Sequence, residues 1–236
     1  MTADPLVLLP EIDRATARLL ATARKLDDAD LAAPSRLPGW TRGHVLAHLA
    51  RNADGCVNLL TWARTGIETP QYASDERRDA DIETGAGRSG AEQVADLVAS
   101  AERVDEAVAQ MPADAWAAIV RWRSGRARPA AYVTWARLCE VEVHHTDLDA
   151  GYTPTDWSDA FVHRLLHELA VDLANGMAPV RLHTVDLGHE LTIGPDPTVT
   201  VSGPGPAIAS WLAGRSAGTG LTVTPDGPLP TVPIWK

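Results

Sequence analysis

The stretch Trp135-Ala136-Arg137-Leu138-Cys139-Glu140-Val141-Glu142-Val143-His144-His145-Thr146-Asp147-Leu148 decides how the chain is read. In a helix, residues three and four apart share a face, so Val133, Arg137, Glu140, Val141, His144 and Leu148 form one stripe. Valine and leucine in that stripe call for burial, whereas a guanidinium, a carboxylate and an imidazole resist it. Such groups are costly to bury unpaired, so each needs a partner or a metal. Two readings are open. Arg137 and Glu140 form an internal pair beside a core histidine, or Glu140 and His144, one turn apart, reach a single ion.

A second stretch supplies what the first lacks. Thr41 suits the N-cap of a helix running to about Arg64 and closed by Gly66 and Pro70. Its apolar arc passes through Val45, Leu49, Cys56, Leu59, Leu60 and Ala63. His48 and Asn52 fall at the margin of that arc and point partly inward, while His44 lies further round towards solvent. His44 and His48 could pair at i,i+4, but the periodicity singles out His48. If this helix faces the one around Glu140, as helices do in a bundle, then His48, Glu140 and His144 offer two imidazoles and a carboxylate. Three protein ligands leave a coordination position for water or substrate, the pattern of a catalytic zinc site. The same set suits Fe(II).

The rest of the chain is predicted as follows. Leu9, Ile12, Leu19, Leu20, Ala23 and Leu26 give a first amphipathic helix. Residues 68–88, with Arg77, Arg78, Asp79, Asp81 and Glu83, read as a polar, solvated connection long enough to rim a site. Ser89 and Glu92 form a capping box that opens a helix with Val94, Leu97, Val98, Ala101, Val104 and Val108 on one face. Pro129 suits the first turn of the helix containing Glu140, and Gly151 and Pro154 end it. A fifth helix spans about Trp157 to Asn175. Beyond it, short β-like runs at 180–185, 191–193, 198–201 and 221–224 alternate with Gly and Pro, and a short helix ends at Gly214. The expected architecture is mainly α plus α/β. A four-helix bundle over 1–176, with the fifth helix as a bridge, is followed by a small α/β domain over 177–236.

Composition narrows the function. A formal charge of −10 argues against a nucleic-acid or anionic-membrane partner. No run of about 18 uncharged apolar residues occurs, so no membrane span is expected. The N-terminal residues carry Asp4 and Glu11 and lack a basic n-region or a cleavage-like site. A cytoplasmic monomer is expected, its two cysteines, Cys56 and Cys139, reduced and acting as small core fillers. His-Glu-x-x-His, a Gly-rich phosphate loop, Gly-x-Ser-x-Gly and Cys-x-x-Cys are all absent. His163 and His167, an i,i+4 pair on the fifth helix, are read as solvent-facing or satisfied. His145 is read as a core residue or a donor to the site. His183 and His189 have no partner close by in sequence.

Several segments carry a family resemblance. Leu37-Pro38-Gly39-Trp40-Thr41-Arg42-Gly43-His44-Val45-Leu46-Ala47-His48-Leu49-Ala50-Arg51-Asn52 resembles the second-helix signature of the mycothiol-dependent maleylpyruvate isomerases. Arg137 to His145, Trp211-Leu212-x-Gly214-Arg215 and Leu229-Pro230-x-x-Pro233-x-Trp235 are similar to the same family in order. The resemblance spans essentially the whole chain, and the family lies within the DinB-like metalloprotein superfamily. It implies a DinB-like bundle, metal ligands His48, Glu140 and His144, a divalent metal read as zinc, and mycothiol as thiol cofactor. The implied reaction is cis–trans isomerisation of maleylpyruvate to fumarylpyruvate in gentisate breakdown. A metal-activated thiolate would add to the alkene, let the bond rotate, and leave. Arg215 is the catalytic residue the resemblance implies, with Asn52, Arg78 and Arg137 as further candidates for holding substrate or cofactor. Two alternatives use the same features: a mycothiol S-transferase of the same superfamily, and a non-catalytic metal- or thiol-binding protein.

Overall fold

The computed structural model describes residues 4–235, which form two compact units, one ending at Gly151 and the other beginning at Tyr152. The first is built on α1 (Leu9–Ala23), α3 (Arg42–Thr65), α5 (Gly90–Ala109) and α6 (Tyr132–Asp147), with short α2 (Asp28–Ala32) and α4 (Asp75–Ala86) between them. α3 packs on α4, α5 and α6, and α1 closes the bundle against α5 and α6. Because three helices cover it, α3 is buried nearly all round, and Val45, Leu49, Ala53, Leu59 and Leu60 are each at most 1% exposed. Its ends follow local chemistry. The Thr41 side chain accepts from the His44 N–H, the His44 side chain answers at the Thr41 backbone, and Gly66 terminates the helix at φ +72°.

α4 corrects the expectation of a solvated connection over 68–88. Ser74 caps it, Arg77 and Asp81 pair at i,i+4, and of its side chains only Ile82 is a buried apolar group. So thin an apolar face leaves little periodicity to read. What holds α4 is close backbone approach: a Cβ on Gly85 would stand 2.8 Å from the Ala47 Cβ, and one on Gly43 would stand 2.6 Å from the Ala86 carbonyl oxygen. Glycine at both positions lets α3 and α4 touch and carries Arg78 to the flank of α3.

Pro129 also falls elsewhere than expected. It ends β2 (Ala127–Pro129), which pairs antiparallel with β1 (Ile119–Arg121), and α6 begins only at Tyr132. Strands of three residues, with Val120 alone buried among exposed neighbours, carry too short a pattern to separate from loop. The hairpin sets Val120 against Cys56, Leu60, Val104 and Val133 in the bundle core.

In the second unit, α7 (Asp159–Leu173) and α8 (Gly205–Leu212) accompany a sheet of order β4-β3-β5-β6. β3 (Val180–Thr184) is antiparallel to β4 (His189–Ile193) and parallel to β5 (Val199–Gly203), and β6 (Thr222–Thr224) returns antiparallel along β5. Phe161, Leu165, Leu166 and Leu169 of α7 are buried, and the helix packs on α8 and β4. The boundary thus lies at Gly151/Tyr152 rather than at 176/177: by its contacts α7 belongs with the sheet. Its apolar stripe alone could not say which neighbour it would cover. Among the described residues no helix is long and apolar enough to cross a membrane.

Candidate metal centre

The inward faces of α3 and α6 meet at three side chains. His48 Nε2 lies 3.0 Å from Glu140 Oε2 and 3.2 Å from His144 Nε2, and His144 Nε2 lies 3.3 Å from the same Glu140 oxygen. Donor atoms held about 2.0–2.2 Å from a tetrahedral zinc ion stand roughly 3.3–3.5 Å from one another. At 3.0–3.3 Å the three atoms lie within a few tenths of an ångström of the spacing a shared ion would impose. Among the described residues this is the one group of three such side chains whose ligand atoms all lie within 4.8 Å of one another. Two imidazole nitrogens facing each other at 3.2 Å across one carboxylate oxygen can share few protons, and a cation satisfies all three at once.

Electrostatics agree with that reading. Burial pushes the His48 imidazole down to about 4, against the opposing hydrogen bond from Glu140. Burial would lower His144 too, but hydrogen bonds to Asp147 and Glu140 overcome it and raise its pKa to about 9. Glu140 is half-buried, and its loss of hydration favours the neutral form, yet His144 and His48 hold it well below the usual carboxylate range. The trio is thus a carboxylate between imidazoles of opposite tendency, a set of donor atoms for which protons and a metal ion would compete.

Asp147, which the sequence reading passed over, orients the site. Its Oδ2 is 2.8 Å from His144 Nδ1, and the residue is fully buried. A carboxylate on the far nitrogen fixes the tautomer, leaving the Nε2 lone pair for a metal and raising its basicity. The signal was available, since 144 and 147 are i,i+3 neighbours on a helix. Asp147→Asn keeps the shape but loses the charge, and should weaken metal affinity about 10–100-fold with little change in thermal stability. Competition with a chromophoric chelator would measure it.

The remaining histidines and candidates sort clearly. His44 is spent on the α3 cap, its Nδ1 2.7 Å from Thr41 Oγ1 and its Nε2 3.1 Å from Glu83, so it stays out of the cluster. His145 points to the other side of α6 and meets Thr22 Oγ1 at 2.8 Å. Trp40, unassigned from sequence, packs on His48 with ring centroids 5.5 Å apart and walls the site. Arg78 does arrive: its Nη2 is 3.3 Å from His48 Nδ1, its Nη1 pairs with Asp79, and its buried Nε has no hydrogen-bond partner. Arg137 and Asn52 do not open into the cluster. The buried Arg137 Nη1 donates to Asn52 Oδ1 at 3.0 Å and to the Leu49 carbonyl at 2.8 Å, tying α6 to α3. Among the described residues the Arg137–Glu140 ion pair, one of the two readings of the stripe, does not form. Arg215 lies in the second unit, just past Gly214 (φ +71°) at the end of α8, with its Nη1 donating to the Ala213 carbonyl.

Known proteins resemble this chain along its whole length. The family described as the mycothiol maleylpyruvate isomerase N-terminal domain matches residues 12–149, nearly the whole of the first unit. A search of curated proteins finds no match. Among solved structures, the mycothiol-dependent maleylpyruvate isomerase is similar at 30% identity, with a TM-score of 0.88, over 100% of this chain and 97% of that one. A structure of the same enzyme with one histidine replaced by alanine is similar to the same degree. With the family matched over more than half the chain and the fold shared along all of it, this protein belongs to the mycothiol maleylpyruvate isomerase family.

Proposed function

We propose that the protein is a cytoplasmic, mycothiol-dependent cis–trans isomerase that converts maleylpyruvate to fumarylpyruvate in gentisate breakdown. The observation that carries this reading is the His48–Glu140–His144 triangle, which has the ligand number of a catalytic rather than a structural site. A divalent ion there, zinc on our reading, would hold a bound thiol as thiolate, the reversible nucleophile that frees a carbon–carbon double bond to rotate.

The chain's own residues set the terms. His48, Glu140 and His144 hold the donor triangle, Asp147 fixes the His144 ring, and Trp40 shields the His48 side from water. Arg78 suits one carboxylate of a dianionic substrate. A guanidinium can only donate, and once His48 Nδ1 carries the proton that a metal-bound imidazole keeps there, Arg78 must turn its N–H groups to another acceptor. Its unpartnered Nε adds a further donor. Arg137 and Asn52 serve as braces that keep α6 in register with α3, and we assign Arg215 the developing negative charge of the intermediate.

Neither protein thiol is suited to the chemistry. Neither forms a disulfide and both are buried, and burial pushes Cys56 up to about 12, so it stays protonated at neutral pH. Cys56→Ala and Cys139→Ala should each keep most of the mycothiol-dependent activity. A thiol-independent turnover abolished by either change would overturn the assignment.

The direct test follows maleylpyruvate absorbance with and without mycothiol, on protein of known metal content, with product identified by chromatography. Fumarylpyruvate formed only in the presence of mycothiol supports the reading. A stable thiol adduct instead would identify an S-transferase, and no turnover on metal-loaded protein would leave a binding protein.

A further inference from the structure

α7 carries His163 and His167 one turn apart, and β4 opens at His189. The sequence offered His163 and His167 only as a solvent-facing or satisfied pair, and His189 as a residue without a neighbour. The fold brings the three together. The His163 ring centroid lies 4.6 Å from that of His167 and 4.6 Å from that of His189, where α7 packs on β4. Among the described residues no side chain or backbone group outside the trio hydrogen-bonds to these rings. His163 is half-buried and the other two are exposed.

Three imidazoles without an anion among them are an uncommon surface feature. Protonated, they repel one another, and each loses hydration where the rings crowd. The His163 pKa is accordingly lowered, first by burial and then by His167 and His189. Neutral imidazole is the form that ligates, and an all-nitrogen donor set suits borderline transition metals rather than Mg²⁺ or Ca²⁺. An i,i+4 pair on one helix turn supplies two donors from a rigid element, and the strand supplies the third. The donors are not yet closed onto one point as those of the first site are. His167 and His189, being exposed, can rotate inward at little cost, with His163 as the anchor.

We infer that His163, His167 and His189 form a second metal site, for a zinc-, nickel- or copper(II)-like ion, that clamps α7 to β4. It lies wholly within the second unit and does not rest on the assignment of the first site. Bound metal should stabilise that unit in proportion to occupancy, because a ligand that binds only the folded state adds to its stability.

Untagged, metal-stripped, full-length protein titrated with zinc in a calorimeter tests this. The wild type should take up two equivalents, the second weaker. Glu140→Gln should weaken the first and spare the second. His163→Gln and His167→Gln should each remove the second equivalent, and His189→Gln should weaken it. Zinc beyond the first equivalent should raise the melting temperature of the wild type further but not that of His163→Gln, while mycothiol-dependent turnover of His163→Gln stays at the wild-type level. One equivalent in the wild type, or a second that survives His163→Gln, overturns the site. A second equivalent that needs His163 and His167 but ignores His189 overturns the three-imidazole clamp. Should His163→Gln fail to fold by circular dichroism, the two exposed positions decide on the same criteria.

Discussion

Alanine at His48, Glu140 or His144 is expected to strip bound metal and isomerase activity together, while His44→Ala keeps most of both. The three donor atoms stand 3.0–3.3 Å apart, so each would contribute a full coordination bond to a shared ion, and no other side chain among the described residues is placed to replace one. Metal-based stabilisation of developing charge is worth several kcal/mol, and at about 1.4 kcal/mol per tenfold turnover should fall roughly a thousandfold or more. The fold should survive each change. In His48→Ala, Glu140 and His144 still satisfy each other, with Asp147 behind them. His44 makes the informative control because it sits one turn from His48 on the same helix but serves the Thr41 cap and meets Glu83. Its loss should cost about 1 kcal/mol of stability through the weakened cap and leave metal content intact. Atomic absorption on purified variants, beside turnover at saturating mycothiol, gives both readouts. Equal metal loss in His44→Ala would mean that the wrong face of α3 has been assigned.

The residues behind this expectation were legible because helices impose a period. Spacing alone set Glu140 and His144 on one stripe and turned His48, not His44, towards the interior. Caps were legible too, since Thr41 and Ser89 announce the starts of α3 and α5 by local hydrogen bonding. What the sequence hid depends on contact between distant segments. α4 has only Ile82 as a buried apolar side chain, and its position comes from backbone contact at Gly43 and Gly85. For that reason the proximity of Arg78 to His48 could not be read from charge pattern. The short hairpin that holds Pro129 and the side of the boundary on which α7 falls were hidden likewise, because three-residue strands and a lone amphipathic stripe do not name their neighbours. Arg137 shows the opposite case. Its buried position was legible, but its partner is the Leu49 carbonyl and Asn52 rather than the nearer Glu140, a choice made by how α3 and α6 cross.

Arg215→Lys is expected to lose roughly 100–1,000-fold in turnover, the range for removing a charge-stabilising donor worth about 3–4 kcal/mol. Metal content and melting temperature should stay near wild type. The local structure makes Arg215 a well-aimed group rather than a loose one. Its backbone N–H returns to the Ser210 carbonyl at 2.8 Å, Gly214 takes the left-handed conformation that ends α8, and the guanidinium is braced on the Ala213 carbonyl at 3.0 Å. A residue half-buried at such a junction has lost much of the rotamer freedom that makes a surface arginine ineffective. We propose that its guanidinium serves the substrate dianion as the alkene is opened and negative charge moves onto oxygen. A planar fork can hold a carboxylate or that oxygen in two parallel bonds, which the point charge of lysine cannot reproduce. The distribution of the loss carries the argument. If Arg215 acts on the intermediate, kcat and kcat/KM should fall together, whereas a residue that only binds substrate would raise KM and spare kcat. Arg215→Ala turning over at the wild-type rate with metal bound would remove it from the chemistry, and the charge-stabilising role would pass to Arg78, whose unpartnered Nε is the next donor available.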